Sequence, residues 1–322
     1  MKAAVYVQTG GPEVLRYEDV PDPVAGPGEV LVDVEAIAIE GGDLGMRARG
    51  PAVDDPTSPF CLGYAAAGRI AVLGEGVELE VGARVATFGQ YGSHAQRRVV
   101  RAEHCWVLPD GVDALHAACV PVAFGTAYEA LFEFGRLRAG ETLFVQGAAG
   151  GVALAAVQLA RRCGARVIGT VSNDAQMAAV TELGVDHAIN RNEGSMLERV
   201  LSLTDGLGVD VALDPVGGRS LDDVLRATRR GGRVALIGLS SRESTVMNAA
   251  LLLLRSQTMH GFMLSEHFGE PRVHRYVDEL LALVAAGELD VLVDRVFPLA
   301  QAADAHRYAE QHGRVGRVVM TT

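Results

Sequence analysis

The sequence has 322 residues, of which 49% are hydrophobic and 21% charged, so it suits two domains with substantial cores and is not that of a disordered chain. Lys and Arg total 29 and Asp and Glu total 40, which gives a net charge of −11 with neutral His. An acidic chain of this kind is a poor candidate for binding a nucleic-acid backbone.

The part of the chain before residue 113 is rich in short strand-like stretches separated by turn residues. No long helical period interrupts them, and a small, partly open barrel is the natural packing for such strands. The predicted strands span residues 3–7, 29–39, 68–73, 84–87 and 96–100.

The pattern changes after residue 113, where two helices (113–119 and 126–134) precede a regular alternation of strands and helices. This alternation predicts a parallel sheet covered on both faces, as in the doubly wound nucleotide-binding fold. A late amphipathic helix (274–286) and a strand-like tail (318–320) follow. The alternating elements are strands 142–146, 166–171, 187–189, 209–213 and 233–237, and helices 151–163, 174–183, 196–204 and 221–229.

A Gly- and Ala-rich turn joins the strand 142–146 to the helix 151–163. Such a turn lets the backbone approach a pyrophosphate, with the helix N-terminus facing the negative charge. Against the pattern GxGxxG, only the central glycine, Gly150, is present. We therefore expect Ala149, Gly150, Gly151 and Val152 to bind a dinucleotide; the alternative is a tight turn without a ligand.

The next strand ends in hydroxyl and amide side chains, Ser172 and Asn173, and not in a carboxylate. NAD-preferring sites use an Asp or Glu near this position to bind the ribose hydroxyls. A phosphate is not repelled here, although Asp174 lies slightly farther along, and Arg191 is a candidate counter-charge or an ordinary solvated arginine. These residues favour NADPH over NADH.

Neither a membrane span nor a secretory signal is evident, because no apolar run approaches the ~18–20 residues that a bilayer requires. The four cysteines form no CxxC pair and are expected to be small buried hydrophobic residues. We therefore expect a soluble, cytoplasmic protein without a disulfide framework or a metal.

These motifs resemble the medium-chain dehydrogenase/reductase superfamily, and within it the zinc-free quinone oxidoreductase (zeta-crystallin-like) branch. The resemblance runs nearly end to end, and its most specific part is the AAGGVA loop at 148–153 followed by GARVIGTV at 164–171. Further matching stretches are MKAAVYVQTGGPEVL at the start, PGEVLVDVEAIAI, LGYAAAGRI at 62–70, VGARVATF at 81–88, DPVGG at 214–218, GGRVALIG at 231–238 and GRVVM at 316–320.

The resemblance implies an α/β protein with a GroES-like, β-rich barrel domain and a doubly wound Rossmann domain, and the cofactor in the cleft between them. The expected boundaries are 1–120, completed by 290–322, for the GroES-like domain and 121–289 for the Rossmann domain. It also implies a homodimer joined along a Rossmann edge near residues 257–263. Further expected cofactor contacts are Thr126, Gln176, Gly238, Leu239 and Arg317, where Thr126 could equally be a helix N-cap.

The chain departs from the superfamily's alcohol dehydrogenases at both catalytic zinc ligands. The stretches that match their CxxD and GHE patterns are residues 40–43 and 63–65 here, and neither ligand is present. Zinc-assisted alcohol oxidation therefore loses its Lewis acid. Quinone reductases usually carry Asn at the position of Glu40, and the lysine that some members use for the 2′-phosphate corresponds to Gln176.

Without a metal, the hydride acceptor must already be activated, as a quinone or an α,β-unsaturated carbonyl is. The candidate general acids are Glu40, Tyr64, Tyr91 and Tyr128, with water as a further proton source. Glu40 could have a raised pKa in an apolar cleft or could be a salt-bridged residue. Asp43 is expected to organise its loop, with Arg47 as a suggested partner.

An NADPH-dependent quinone reductase is the leading hypothesis. An enoyl or alkene reductase on the same fold is an alternative, although the tyrosine that polyketide enoyl reductases often carry falls on Gly41. A biosynthetic tailoring enzyme with a recast site and a non-catalytic cofactor-binding protein are the others. The expected partners are a small quinone or enone and a second copy of the chain, without nucleic acid or membrane.

Overall fold

The computed structural model describes residues 1–50 and 59–322 of the chain. The packing divides the chain into two units. The first unit comprises Met1–Gly125, Ser265–Gln311 and Arg317–Thr322, and the second comprises Thr126–Leu264 and His312–Gly316.

The strands in chain order are β1 Lys2–Tyr6, β2 Arg16–Asp19, β3 Glu29–Ala38, β4 Phe60–Cys61, β5 Ala65–Leu73, β6 Arg84–Phe88, β7 Arg97–Arg101, β8 Cys105–Val107, β9 Thr142–Val145, β10 Arg166–Val171, β11 His187–Asn190, β12 Val209–Asp214, β13 Thr228–Leu236, β14 Thr258–Gly261, β15 Val293–Pro298 and β16 Arg317–Thr321. The α-helices are α1 Gly41–Arg49, α2 Ala114–Ala118, α3 Gly125–Tyr128, α4 Gly151–Cys163, α5 Asp174–Glu182, α6 Met196–Leu203, α7 Leu221–Ala227, α8 Ala249–Arg255, α9 Pro271–Ala285 and α10 Ala302–Ala309. Two π-helical segments, Val120–Phe124 and Glu129–Phe134, flank α3.

The first unit contains two β-sheets. One has the order β2-β1-β4, and the other has the order β15-β16-β3-β5-β6-β8 with β7 also paired to β3. The last strand, β16, pairs antiparallel with β3, so that Val319 lies opposite Ala38. The predicted return of the tail strand to the β-rich part of the chain is therefore confirmed.

The second unit is built on one six-stranded sheet of order β11-β10-β9-β12-β13-β14, in which every neighbouring pair is parallel. Numbered from β9, the order is 3-2-1-4-5-6, which is the doubly wound dinucleotide-binding topology. The order reverses between β9 and β12. Ligands of such sheets bind beyond the carboxyl ends of the strands at this reversal, so the topology points to the loop after Val145.

The observed elements differ from the sequence prediction in several places. Helix α1 was not predicted, because its sequence GGDLGMRAR is rich in glycine and polar residues, and it buries Asp43 and Arg47 instead of an apolar face. The other elements that lack a predicted counterpart are strands β2, β4, β8 and β15 and helices α8 and α10. Helix α9 belongs to the first unit, not to the predicted span 121–289, since Trp106 Nε1 donates to the carbonyl oxygen of His274 at 3.2 Å.

Cys105 and Cys119 are buried and Cys61 and Cys163 half-buried, all as free thiols, as expected for small packing residues. Burial raises the pKa of Cys61 and Cys105 to about 12 and that of Cys119 to about 11. These three thiols are therefore protonated at neutral pH and are poor nucleophiles. In the part of the chain that the structure describes, no helix is both long and apolar enough to span a bilayer.

Candidate functional site

The turn between β9 and α4 is built to expose backbone. Gly147 has φ = +65°, a left-handed conformation that favours glycine. Its N–H donates to Thr170 Oγ1 at 2.9 Å, and the Ala148 N–H donates to the carbonyl oxygen of Thr170 at 2.8 Å, which ties the loop to β10. A Cβ added at Gly150 would meet only the carbonyl oxygen of Gly147, at 3.5 Å. The loop is therefore held firmly while its tip at Gly150 stays open.

The N-terminus of α4 differs from the starts of α5, α6 and α8, although α7 also begins without a side-chain cap. Asn173, Ser195 and Asn248 cap α5, α6 and α8 with side-chain oxygens. Among residues 1–50 and 59–322, no side chain caps α4, whose N-cap residue is Gly150. The first amides of a helix need an acceptor, and a phosphate supplies one. This donor set fits the diphosphate of a dinucleotide, and Ala149, Gly150, Gly151 and Val152 are the residues that would hold it.

The tip of β10 brings together three of the predicted cofactor residues. Asn173 Oδ1 accepts the Gln176 N–H at 2.8 Å and caps α5. Gln176 Oε1 accepts from the backbone N–H of Ser172 at 2.9 Å and from its hydroxyl at 2.8 Å, while Gln176 Nε2 donates to the carbonyl oxygen of Arg314 at 2.6 Å. The Gln176 amide is thus bonded within the protein at both ends, and its direct contact with a cofactor stays a prediction.

Arg191 lies beside this tip, directly after β11. Its backbone N–H donates to the carbonyl oxygen of Val171 at 2.9 Å, and its side chain is exposed. The next residue, Asn192, donates from Nδ2 to the carbonyl oxygen of Ser172 at 2.8 Å. Arg191 therefore lies at the carboxyl edge of the sheet, and its pairing with a phosphate stays a prediction.

Gly238 and Leu239 follow β13 at the same carboxyl edge. A Cβ on Gly238 would lie 2.9 Å from the carbonyl oxygen of Pro215, so only glycine fits against the loop after β12. Leu239 is 53% exposed. Thr126 lies inside the helical run 120–134, where Gly125 before it is already helical. The alternative that Thr126 is a helix N-cap is therefore wrong, and its contact with a nicotinamide stays a prediction.

In the first unit, Glu40 is paired with Arg317. The Arg317 Nη2 donates to Glu40 Oε1 and, at 3.2 Å, to the carbonyl oxygen of Ile39. Both side chains are more than nine-tenths buried. Burial raises the pKa of Glu40, and the Arg317 guanidinium opposes that rise. Burial disfavours the charge on Arg317, but Glu40 and the Cys119 thiol raise its pKa.

This pairing bears on two of the predicted roles. A carboxylate bound to a buried guanidinium is not poised to donate a proton, so the geometry favours the salt-bridged interpretation of Glu40. The Nη2 of Arg317 likewise donates to two acceptors within the first unit, Glu40 Oε1 and the carbonyl oxygen of Ile39. These contacts do not include its predicted role in cofactor binding. Both roles stay predictions.

Asp43 organises the start of α1, as expected. It accepts the Glu40 N–H at 2.8 Å and the Tyr64 N–H at 3.1 Å. Burial raises its pKa to about 8, although the two N–H donors oppose the rise. Arg47 is not its partner; Arg47 bonds instead to the carbonyl oxygen of Gly10 at 3.2 Å and to Glu310 at 2.7 Å.

Tyr64 lies over the start of the same helix. A Cβ on Gly42 would come 2.2 Å from Tyr64 Cε2, so the ring rests on the glycine backbone. Burial, together with Asp43 and Glu40, raises the pKa of Tyr64, so its phenol is protonated at neutral pH. Of the candidate acids, Tyr91 is 63% exposed and Tyr128 belongs to the second unit. Within residues 1–50 and 59–322, no three His, Cys, Asp or Glu side chains cluster as metal ligands do.

A buried chain of polar side chains in the first unit was not anticipated from the sequence. The Nε2 atoms of His94 and His306 lie 2.8 Å apart, Arg47 Nη1 is 3.2 Å from His306 Nδ1, and Ser93 Oγ is 3.2 Å from His94 Nδ1. An arginine nitrogen can only donate, so His306 accepts at Nδ1 and donates from Nε2 to His94, which donates to Ser93. Both imidazoles are therefore neutral. Burial lowers the pKa of His94 well below its usual range and that of His306 to about 3.

The neutral pair predicts acid sensitivity. Below pH 6.5 the unfolded chain binds protons at both histidines and the folded chain does not, so stability falls as pH drops from 6.5 towards 3. Each group contributes up to about 1.4 kcal/mol per pH unit. Asp43 contributes with the opposite sign, so a single pH profile does not isolate the histidines. The measurement is therefore the slope of the free energy of unfolding against pH, obtained from urea unfolding at pH 7 and pH 5, for the natural chain and for His306→Gln. We expect a smaller slope for the variant and no change for His116→Gln, a partly exposed control; equal slopes in all three would contradict the assignment.

Comparisons with known proteins agree with this architecture. Residues 26–110 match the model of the alcohol dehydrogenase GroES-like domain, and residues 151–286 match that of the zinc-binding dehydrogenase. A quinone oxidoreductase from Pseudomonas aeruginosa is 32% identical over 99% of both chains, and one from Rattus norvegicus is 29% identical over 99% of this chain and 97% of its own.

Solved structures extend the comparison. The Escherichia coli quinone oxidoreductase in complex with NADPH has a TM-score of 0.92 at 27% identity, with complete coverage of both chains. A 2-haloacrylate reductase has a TM-score of 0.87 at 30% identity and covers 100% of this chain and 99% of its own.

Proposed function

The chain belongs to the quinone oxidoreductase branch of the medium-chain dehydrogenase/reductase superfamily, and on that basis we propose that it transfers a hydride from NADPH to a quinone or another conjugated carbonyl compound without a catalytic metal. The observation that carries the proposal is the uncapped, open N-terminus of α4 at the carboxyl edge of the doubly wound sheet. Two relatives that match 99% of this chain, from Rattus norvegicus and Pseudomonas aeruginosa, are quinone oxidoreductases.

The second unit binds the cofactor in this proposal. The amides of Gly151 and Val152 would hold the diphosphate at the uncapped start of α4, where Gly150 leaves room for it. Bound NADPH would supply the hydride from its nicotinamide ring. The polar tip of β10, with Ser172 and Asn173, admits a 2′-phosphate where a carboxylate would repel it. A homodimer through β14, which lies at the edge of the six-stranded sheet, stays part of the proposal.

The first unit supplies the proton in this proposal, through Tyr64. Its phenol is protonated and only half-buried, whereas Glu40 is bound to Arg317. Hydride addition to a quinone leaves negative charge on oxygen, and a phenol that gives up its proton neutralises that charge. The positions that hold zinc in alcohol dehydrogenases carry Glu40 and the stretch Gly63–Ala65, which offer no comparable ligand set, so the acceptor must be activated by its own conjugation.

An anaerobic assay with 1,2-naphthoquinone and with an acyclic enone tests the proposal. We expect NADPH oxidation with the quinone, a kcat/KM at least about tenfold above that for the enone, and no loss of activity after dialysis against a chelator. In the same assay, Tyr64→Phe is expected to lower kcat by about tenfold or more, with the exposed Tyr91→Phe as its control. No NADPH oxidation with either acceptor, or activity that depends on added zinc, would contradict the proposal.

An enoyl or alkene reductase is the second candidate function. The structural similarity to a 2-haloacrylate reductase supports this candidate. A haloacrylate presents a carbon–carbon double bond conjugated to a carboxyl group, and the same hydride chemistry would apply. The reverse order of kcat/KM in the assay above, with the enone preferred, would select this function.

A further inference from the structure

The last residue of β12, Asp214, is a buried carboxyl group to which the proposed function assigns no role. Its side chain is fully buried, and its Oδ1 accepts the N–H of Val216 at 2.7 Å and that of Gly217 at 3.0 Å. Gly217 has φ = +62°, a left-handed conformation that favours glycine, so the chain turns sharply just after the carboxyl group. Asp214 therefore fixes the course of residues 215–219, which we call the β12 exit loop.

The β12 exit loop in turn holds the loop that leaves β13, residues 237–245, which we call the β13 exit loop. Hydrogen bonds join the two loops along their length, from the Ser240 N–H to the carbonyl oxygen of Pro215 at 3.1 Å, from the Ser241 N–H to that of Val216 at 3.1 Å and from the Gly218 N–H to Thr245 Oγ1 at 2.8 Å. Because each loop supplies donors to the other, a change in the course of the first loop displaces the second.

Leu239 lies in the β13 exit loop and packs against the bend of the β12 exit loop. A Cβ on Gly217 would lie 2.6 Å from Leu239 Cδ2, so only glycine leaves room for the leucine side chain. The leucine is nevertheless 53% exposed. Ligands of doubly wound sheets bind beyond the carboxyl ends of the strands where the strand order reverses, and β12 lies at that reversal. An exposed leucine at this edge offers an apolar contact to the ring of a bound cofactor.

The second carboxyl oxygen of Asp214 takes no part in holding the loop. Gln146 lies beside Asp214, because its N–H donates to the carbonyl oxygen of Leu213 at 3.0 Å and continues the pairing of β9 with β12. Among residues 1–50 and 59–322, Asp214 Oδ2 and Gln146 Oε1 are both buried without a hydrogen-bond partner. An asparagine at position 214 would therefore keep the accepting oxygen and replace an unpartnered oxygen by a donor.

We propose that Asp214 is a positioning residue for hydride transfer. By fixing the β12 exit loop it also fixes the β13 exit loop, and so holds Leu239 in place to contact the nicotinamide ring of NADPH. The inference rests on the proposed function and adds to it a residue that touches neither cofactor nor substrate. A displacement of about 1 Å can slow a reaction about 100-fold, so loosening these loops is expected to affect hydride transfer more than cofactor affinity.

Calorimetric titration with NADPH and with 2′,5′-ADP tests the proposal without turnover, because 2′,5′-ADP lacks the nicotinamide half of the cofactor. Asp214→Ala is expected to raise the Kd for NADPH about 5- to 10-fold and to leave the Kd and the stoichiometry for 2′,5′-ADP within about twofold. Asp214→Asn should recover most of the loss, since its side-chain carbonyl still accepts the two N–H groups. Asp223→Ala, at an exposed position on α7, is the matched control.

Turnover with 1,2-naphthoquinone gives a second readout, expressed per 2′,5′-ADP-binding site so that unfolded chains are not counted. Asp214→Ala is expected to lower kcat about 10- to 100-fold. It should also raise the isotope effect on kcat with NADPH deuterated at both C4 positions, because hydride transfer becomes rate-limiting.

Thr245→Val is a second variant that leaves the core of the sheet untouched. It removes the acceptor of the Gly218 N–H at the far end of the β13 exit loop, and we expect the same pattern in weaker form. Thr181→Val, at an exposed position on α5, is its control. Thr245→Val keeps the proposal testable if Asp214→Ala folds poorly.

A loss of NADPH and 2′,5′-ADP binding to the same extent in both Asp214→Ala and Thr245→Val would overturn the proposal. Unchanged NADPH affinity, kcat and isotope effect in Asp214→Ala would also overturn it. A failure of the proposed function is distinguishable from these outcomes. In that case the natural chain oxidises NADPH with neither acceptor, while the calorimetric comparison still decides whether Asp214 acts on the nicotinamide half of the site.

Discussion

Glu40→Gln is expected to lower the free energy of unfolding by about 3–5 kcal/mol, because it leaves the Arg317 guanidinium buried without a counter-charge. Both side chains are more than nine-tenths buried, so solvent cannot take the place of the lost carboxylate. The pair lies where the last strand of the chain meets β3. Arg317 begins β16, which pairs with the end of β3, and Glu40 follows β3 by two residues. Urea unfolding followed by Trp106 fluorescence measures the change.

The double variant Glu40→Gln/Arg317→Met is the control. Removing both charges leaves no unpaired ion, and replacement of a whole buried pair by apolar groups is often neutral or stabilising. We therefore expect the double variant to recover most of the lost stability. Full stability in Glu40→Gln, with turnover reduced at least about 100-fold, would reverse the interpretation and make Glu40 a catalytic acid.

Gly150→Ala is expected to raise the Kd for NADPH by about 100-fold or more while leaving the fold intact. The new Cβ would meet only the carbonyl oxygen of Gly147, at an ordinary 3.5 Å, and the backbone at this N-cap has φ = −78° and ψ = 157°, which alanine adopts readily. In the bound state, however, the methyl group occupies the space through which the diphosphate reaches the α4 amides. Two charge-assisted bonds of about 1.5–3 kcal/mol each are then weakened.

The measurement for Gly150→Ala pairs calorimetric titration of NADPH with thermal unfolding. Gly45→Ala is the matched control, since its Cβ would enter open space on α1, in the first unit. We expect a Tm within a few degrees of the natural chain for both variants, because an N-cap change from Gly to Ala costs about 1 kcal/mol. Undiminished NADPH binding by Gly150→Ala would place the diphosphate elsewhere.

The second unit could be predicted largely from the sequence, because its strands are apolar runs bounded by turns and its glycine loop has a recognisable position between strand and helix. The doubly wound topology followed from the strand–helix alternation, and the returning tail strand was also expected. Even the cap on α5 is visible in principle, since Asn173 stands three residues before Gln176 in a helix-start pattern.

The buried side-chain pairings of the first unit could not be predicted, because they depend on residues distant in sequence. The partner of Glu40 is Arg317, and the partner of His94 is His306; no local spacing signals either pair. Helix α1 has weak helical propensity and depends on burying Asp43 and Arg47. The cofactor contact predicted for Gln176 stays a prediction, and only the fold shows that its amide bonds to Ser172 and Arg314 within the protein.

The central claim is that the second unit binds NADPH through the backbone amides at the start of α4. Calorimetric titration of the purified, chelator-treated natural chain with NADPH tests it most directly. We expect one NADPH to bind per chain, more tightly than NADH, and the Kd for NADPH to rise about 100-fold or more in Gly150→Ala. Failure of both reduced cofactors to bind, or binding only after zinc is added back, would contradict it.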